Sequence, residues 1–109
     1  MNLVEEQQGN AVILSLDGRL DSVSAKAFED KLMPLVDAKP ELLIVDFAKL
    51  EYISSAGLRV LLMAAKRMKA SQGNLALCAM REHVREVFEI SGFSNIFKIH
   101  PGREAALAG

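Results

Sequence analysis

The sequence has no tryptophan, one tyrosine, five phenylalanines and a single cysteine among 109 residues. With so few aromatic rings, a core has to be built mainly from Leu, Ile, Val, Ala and Met. The lone Cys78 excludes an intramolecular disulfide and fits a reducing compartment. Charge of one sign is also missing: 13 basic and 14 acidic side chains leave a formal net charge of −1. No global field draws the chain onto nucleic acid or an anionic membrane. No apolar run approaches the length of a membrane-crossing helix. The start, MNLVEEQQGN, lacks the basic residues and apolar stretch of a signal peptide. Linkers, low-complexity stretches and internal repeats are absent. These absences give the expectation of one soluble, cytoplasmic domain over residues 1–109, with no nucleic-acid partner and no direct membrane insertion.

What is present is ordinary globular chemistry: half of the residues are hydrophobic and a quarter are charged. Residues 3–8 read as an edge strand, Gly9-Asn10 as a hairpin turn and AVILSL (11–16) as a second strand. A polar loop over 19–24 leads to a helix over about 24–38, in which Phe28, Leu32, Leu35 and Val36 form an apolar stripe. Pro34 is expected to kink or end it, with Lys39-Pro40 as the break. LLIVDF (42–47) is a continuous apolar run, the mark of a strand covered on both faces.

A helix over about 55–71 follows, with Gly73 as its stop. Residues 75–79 read as a strand and 81–90 as a helix capped by Gly92. Residues 96–99 read as a short strand and 103–108 as a short helix. The alternation predicts an α/β domain with a mixed sheet of about five strands, an N-terminal hairpin and helices packed against the sheet. In such sheets, binding sites gather at the carboxyl ends of strands and the helix starts beside them. That rule points to residues 49–58.

Ser54 or Ser55 is placed to cap the helix there, accepting a hydrogen bond from a free backbone N–H. A helix start also tolerates a phosphate, because its unpaired N–H groups and positive dipole end face the added charge. A phosphate on such a serine would be felt mainly by whatever docks on that surface. Gly57 leaves the backbone accessible, a property equally compatible with close packing.

Other chemistries are less supported. His83 and His100, with one Cys, offer no metal-ligand spacing, so no metal is expected. His83 reads as solvated and Cys78 as a small core residue. Neither a dinucleotide loop nor a P-loop is present, so no cofactor is expected. The Gly-x-Ser-x-Gly elbow of hydrolases is absent too, which argues against Ser55 as a catalytic nucleophile and against an enzyme. Arg59, Lys66, Arg67 and Lys69 form a basic helix face, which usually is only solvated and could steer an acidic partner. Met33, Met63, Met68 and Met80 read as core fillers.

Three blocks carry a resemblance. Tyr52-Ile-Ser-Ser-Ala-Gly-Leu-Arg-Val-Leu-Leu62 after LLIVDF, Gly18-Arg19-Leu20-Asp21 after an apolar strand, and Ile90-Ser91-Gly92-Phe93 resemble the corresponding segments of STAS domains. Within that family they resemble the bacterial anti-sigma-factor antagonists. The resemblance implies a protein-binding switch in which a partner, both anti-sigma factor and serine kinase, phosphorylates a serine of an Asp-Ser-Ser-Gly type motif. Matching Gly57 to the motif glycine puts Ser55 on that serine, Ser54 where some members carry Asp, and Ala56 where some carry a second Ser. The implied partner-binding residues are Asp21, Ser22, Ser54, Ser55, Ala56, Gly57, Leu58 and Arg59. Asp21 reads equally as a turn residue by type alone. A serine phosphatase would complete the circuit, and a monomer is expected. The alternative is a STAS subunit of a membrane complex transporting lipid or anions.

Overall fold

The structure is a computed structural model that describes residues 1–108. Five strands lie side by side in sequence order: β1 (Asn2–Gln8), β2 (Ala11–Leu20), β3 (Leu42–Ile53), β4 (Asn74–Cys78) and β5 (Lys98–His100). β1 and β2 form the antiparallel hairpin, and the β2–β3, β3–β4 and β4–β5 pairs are parallel. The crossovers contain α1 (Ala25–Asp37), α2 (Ser55–Ala70) and α3 (Glu82–Ile90), and α4 (Arg103–Ala108) closes the described chain. The expected mixed α/β sheet is therefore observed.

Strand alternation sends side chains to two faces. Leu14, Leu16, Leu43, Val45 and Leu77 meet Phe28, Leu32, Leu61, Val84 and Phe88 of α1, α2 and α3 in the main core. Ile13, Ile44, Ala76 and Cys78 face the other way and pack with Ala106 of α4. The central strands are thus buried on both sides, which is why LLIVDF carries no polar alternation. The aromatic shortage is met by edge-to-face contacts of Phe88 with Phe47 and Phe97, each at 5.9 Å between ring centroids.

Several boundaries differ from the sequence reading. Pro34 does not end α1, which continues to Asp37. Its exposed ring removes one backbone donor, and the buried neighbours Leu32, Met33 and Val36 hold the helix. Arg19 and Leu20 belong to β2 rather than to a loop. β3 runs six residues past Phe47. The pairing steps from Ser15–Asp46 to Asp17–Lys49, and from Gly18–Leu50 to Arg19–Tyr52, so β3 gains one extra residue at each step. These bulges break the period of two and disguise the strand.

Gly73 is not the left-handed residue that stops α2. Gln72 takes that conformation at φ 64°. Gly73 serves close packing instead: a Cβ there would lie 2.8 Å from both the Met68 Cε and the Pro40 carbonyl oxygen. Ala79, read as part of a strand, lies just beyond β4. The last strand starts two residues later than expected, after a 3-10 turn over Phe93–Asn95.

Candidate functional site

The extended ends of β2 and β3 build a platform for the start of α2. Leu20 pairs with Ile53, and the Leu20 carbonyl accepts a 2.8 Å hydrogen bond from the Ser54 N–H. Ser54, in extended conformation, is the cap of α2, and its hydroxyl accepts a 3.4 Å bond from the Gly57 N–H. Ser55 is the first residue of the helix, exposed, and its side chain makes no hydrogen bond among the described residues. The capping role left open between the two serines thus falls to Ser54.

Gly57 is buried where α2 crosses β2. A Cβ at that position would stand 2.6 Å from Leu20 Cγ and 3.1 Å from Ile53 Cγ1. Leu58 is only 7% exposed and belongs to the core. Gly57, which has no side chain, and the buried Leu58 side chain therefore lie beneath the surface at the helix start and support it. Ala56 is half-buried against the core. Arg59, one turn beyond Ser55, is exposed.

Asp21 anchors the neighbouring loop. Its Oδ1 accepts 3.0 Å bonds from the N–H groups of Val23 and Ser24. These bonds, first of all the one from Ser24, hold the Asp21 carboxyl below the usual carboxylate range. The Ser24 hydroxyl in turn lies 2.7 Å from the Arg19 carbonyl and accepts from the Asp21 N–H at 3.0 Å. Asp21 is accordingly a turn-building residue, half-buried, with Ser22 exposed beside it.

Three residues outside the expected partner-binding set join this surface. Val23 is 86% exposed at the loop tip. The Arg19 guanidinium stacks over the Tyr52 ring at 4.4 Å, side by side on the paired strand ends. Val23 was visible as an apolar residue in a polar loop. The Arg19–Tyr52 contact depends on the β3 bulges, which leave no simple periodic trace. Beneath the platform, Arg81 Nε donates to the Ala48 carbonyl and His83 Nε2 meets the Glu51 carbonyl, so α3 braces the tail of β3. His83 is exposed as expected and is engaged with the backbone.

Elsewhere, Cys78 is fully buried and burial pushes its thiol up to about 11, which makes it inert. No group of His, Cys, Asp and Glu that could hold a metal ion occurs among the described residues. No described helix is long and apolar enough to cross a membrane. The site thus consists of one unengaged serine, a capped helix start, an ordered acidic loop and an exposed rim of Val23, Arg19, Tyr52 and Arg59.

The family model of the STAS domain matches residues 2–106. The chain belongs to the STAS domain family. Among curated relatives, BtrV of Bordetella bronchiseptica, itself a candidate anti-sigma factor antagonist, is 44% identical over 99% of this chain and 93% of its own length. The anti-sigma-B factor antagonist of Bacillus subtilis is 28% identical over 98% of this chain and 97% of its own. Among solved structures, the anti-sigma factor antagonist SpoIIAA in its unphosphorylated form superposes with a TM-score of 0.83 at 22% identity, covering 97% of this chain and 93% of that one. Its phosphorylated form from Bacillus gives 0.76 at 21%, covering 98% and 97%. The STAS fold is thus shared with a protein whose structure is known in both states.

Proposed function

We infer that this STAS domain is an anti-sigma factor antagonist switched by phosphorylation of Ser55. In the unphosphorylated state it binds a cognate anti-sigma factor that is also a serine kinase, and a sigma factor is released. The kinase transfers a phosphate from ATP to the Ser55 oxygen, and the modified surface no longer binds. A serine phosphatase hydrolyses the phosphoester and restores it. The circuit operates in the cytoplasm, and the domain itself catalyses nothing. The names of the relatives support the antagonist role.

The observation that carries the switch is the division of labour between two adjacent serines. Ser54 caps the helix, and Ser55 is left exposed with no partner for its hydroxyl among the described residues. A kinase can reach Ser55 without breaking a structural bond. The added charge of about −1.5 to −2 would sit at the positive end of α2, so the domain's own fold is spared. A docked partner would meet that charge directly, at a cost set by like-charge contact and desolvation. Catalysis by Ser55 has no support, since neither histidine is bonded to it and an activating base is required.

The test is calorimetric binding of the purified kinase partner by wild type, Ser55→Ala and Ser55→Asp, with mass spectrometry after incubation with ATP. Wild type and Ser55→Ala should bind, Ser55→Asp should lose binding with an unchanged melting temperature, and one phosphate should map to Ser55. Equal binding by wild type and Ser55→Asp refutes the reading, as does a phosphate on Ser54. Co-purification with a membrane ATPase and no phosphate would replace it with the transport alternative.

A further inference from the structure

The flank of α2, away from Ser55, carries a second feature. An apolar groove of about 540 Å³ lies between α2 and the β4–β5 edge of the sheet. Leu62, Ala65 and Met68 line one side, and Leu75, Ile96 and Phe97 line the other. Ile96 is 53% exposed on its rim. Three exposed lysines surround it: Lys66 and Lys69 from α2 and Lys98 from β5. No carboxylate lines the groove, and none of these lysines makes an ion pair among the described residues. Ion pairs elsewhere take up Lys26, Lys31, Arg67 and Arg103; these three lysines are set apart by gathering around one groove that no carboxylate lines. In a chain of net charge −1, three unmatched cations around one apolar groove are a local excess.

Leu62, Ala65, Lys66 and Lys69 follow one another at helical spacing, so the groove has a stripe about 10 Å long along α2. An incoming helix with apolar residues at the same spacing and acidic flanks would match both the apolar lining and the lysine rim. We propose that this groove docks an acidic amphipathic helix of a partner protein, on a surface separate from Ser55. Lys66 stands eleven residues along the helix from Ser55, about 16 Å. That exceeds the Debye length of about 8 Å at physiological salt, so a phosphate on Ser55 leaves the field at the groove almost unchanged. Docking there is therefore independent of the switch and persists in both states. A lipid surface fits less well, because most of the apolar groups are recessed between α2 and the sheet edge while the chain as a whole is anionic.

The test is a nitrogen-15 correlation NMR titration of the full chain with a synthetic amphipathic helix carrying leucines at i, i+3, i+4 and i+7 and glutamates elsewhere. A peptide with lysines in place of the glutamates is the control. Saturable shifts are expected at Leu62, Lys66, Lys69, Ile96 and Lys98, with Kd on the order of tens of micromolar. Lys66→Glu combined with Lys98→Glu should weaken binding by about tenfold or more, and Ser55→Asp should not change it. Melting curves of the exposed-residue variants confirm that they fold. Absence of saturable shifts overturns the proposal. So do equal binding of the basic peptide, retained affinity in the charge-reversed variant, or co-sedimentation with phosphatidylglycerol vesicles in place of peptide binding.

Discussion

Gly57 and Leu20 touch so closely that a Cβ on residue 57 would lie 2.6 Å from Leu20 Cγ and 2.7 Å from Leu20 Cδ2. This contact sets the height of α2 above β2 and thereby the position of Ser54 and Ser55 at its mouth. Gly57→Ala should destabilise the domain by about 1–3 kcal/mol, the usual cost of overpacking, despite the better helix propensity of alanine. It should also weaken partner binding by displacing the first turn. In a Leu20→Ala background, which itself costs about 2–5 kcal/mol, the Gly57→Ala penalty should shrink toward zero. A double-mutant cycle by urea denaturation measures this. Equal penalties in both backgrounds would show that the contact does not set the helix position.

The two serines should separate in stability as well as in function. Ser54→Ala removes the acceptor of the Gly57 N–H and should cost about 0.5–1 kcal/mol, the lower part of the capping range because the bond is long at 3.4 Å. Ser55→Ala removes no hydrogen bond and should stay within about 0.5 kcal/mol of wild type. Urea midpoints at constant slope provide the comparison. A larger loss for Ser55→Ala than for Ser54→Ala would reverse the assignment of cap and switch.

Most of the architecture was legible because the central strands and the three long helices announce themselves by apolar runs and helical spacing. LLIVDF is buried on both faces, and the Phe28–Leu32–Val36 stripe faces the core. What the pattern hid has physical causes. The tail of β3 is bulged, so Leu50 and Ile53 point inward at a spacing of three, not two. Pro34 is tolerated because its ring faces solvent while its neighbours are buried. At the site, residue type could not separate Ser54 from Ser55 as the cap, since either serine can accept an N–H. Backbone conformation decides it, with Ser54 extended and Ser55 helical. The clamp around Arg103 joins residues 6, 15, 46 and 103 and leaves no local trace in the sequence.

That clamp should matter to stability. Arg103 Nε donates to Asp46 at 2.6 Å, and its other nitrogens reach Glu6 at 3.0 Å and Ser15 at 2.8 Å. Asp46 is 7% exposed, so removal of its cation leaves a buried carboxylate without a counter-charge. Arg103→Ala should destabilise by about 2–3 kcal/mol, below the range for a fully buried pair because Arg103 is partly exposed. Arg103→Met with Asp46→Asn should recover a large part of the loss. If the single variant is as stable as wild type in urea, the clamp contributes nothing to the fold.

Acid should act partly through Asp21 and Glu6. Bonds from the Ser24 N–H hold the Asp21 carboxyl low, and the Arg103 hydrogen bond does the same for Glu6. A carboxyl lowered by folding adds stability that is present above its unfolded value and is lost as pH falls through its folded one. Stability should therefore decline as pH drops through and below the ordinary carboxylate range. Asp21→Asn, which keeps an acceptor oxygen but cannot titrate, should show a shallower decline. Urea midpoints between neutral and acidic pH test this, and parallel profiles for both proteins would remove Asp21 from the account.

Cys78 reports on the hold of α4. Its thiol is fully buried in the small cluster closed by Ala106 of α4, and burial raises it to about 11. Relative to an ordinary thiol near 9, that lowers the thiolate fraction at pH 8 by about a hundredfold, and burial blocks the reagent as well. Native protein should react with Ellman's reagent at least about a hundredfold more slowly than protein in urea. Labelling then requires α4 to lift from the sheet, a local opening that costs less than global unfolding. Arg103 sits in the first turn of α4 and ties it to β1, β2 and β3 through Glu6, Ser15 and Asp46. Arg103→Ala should therefore speed native labelling by a larger factor than Ser54→Ala, whose loss lies at the far site on α2. An unchanged labelling rate in Arg103→Ala, with reduced global stability, would show that Cys78 is exposed by another route and that the clamp does not control α4.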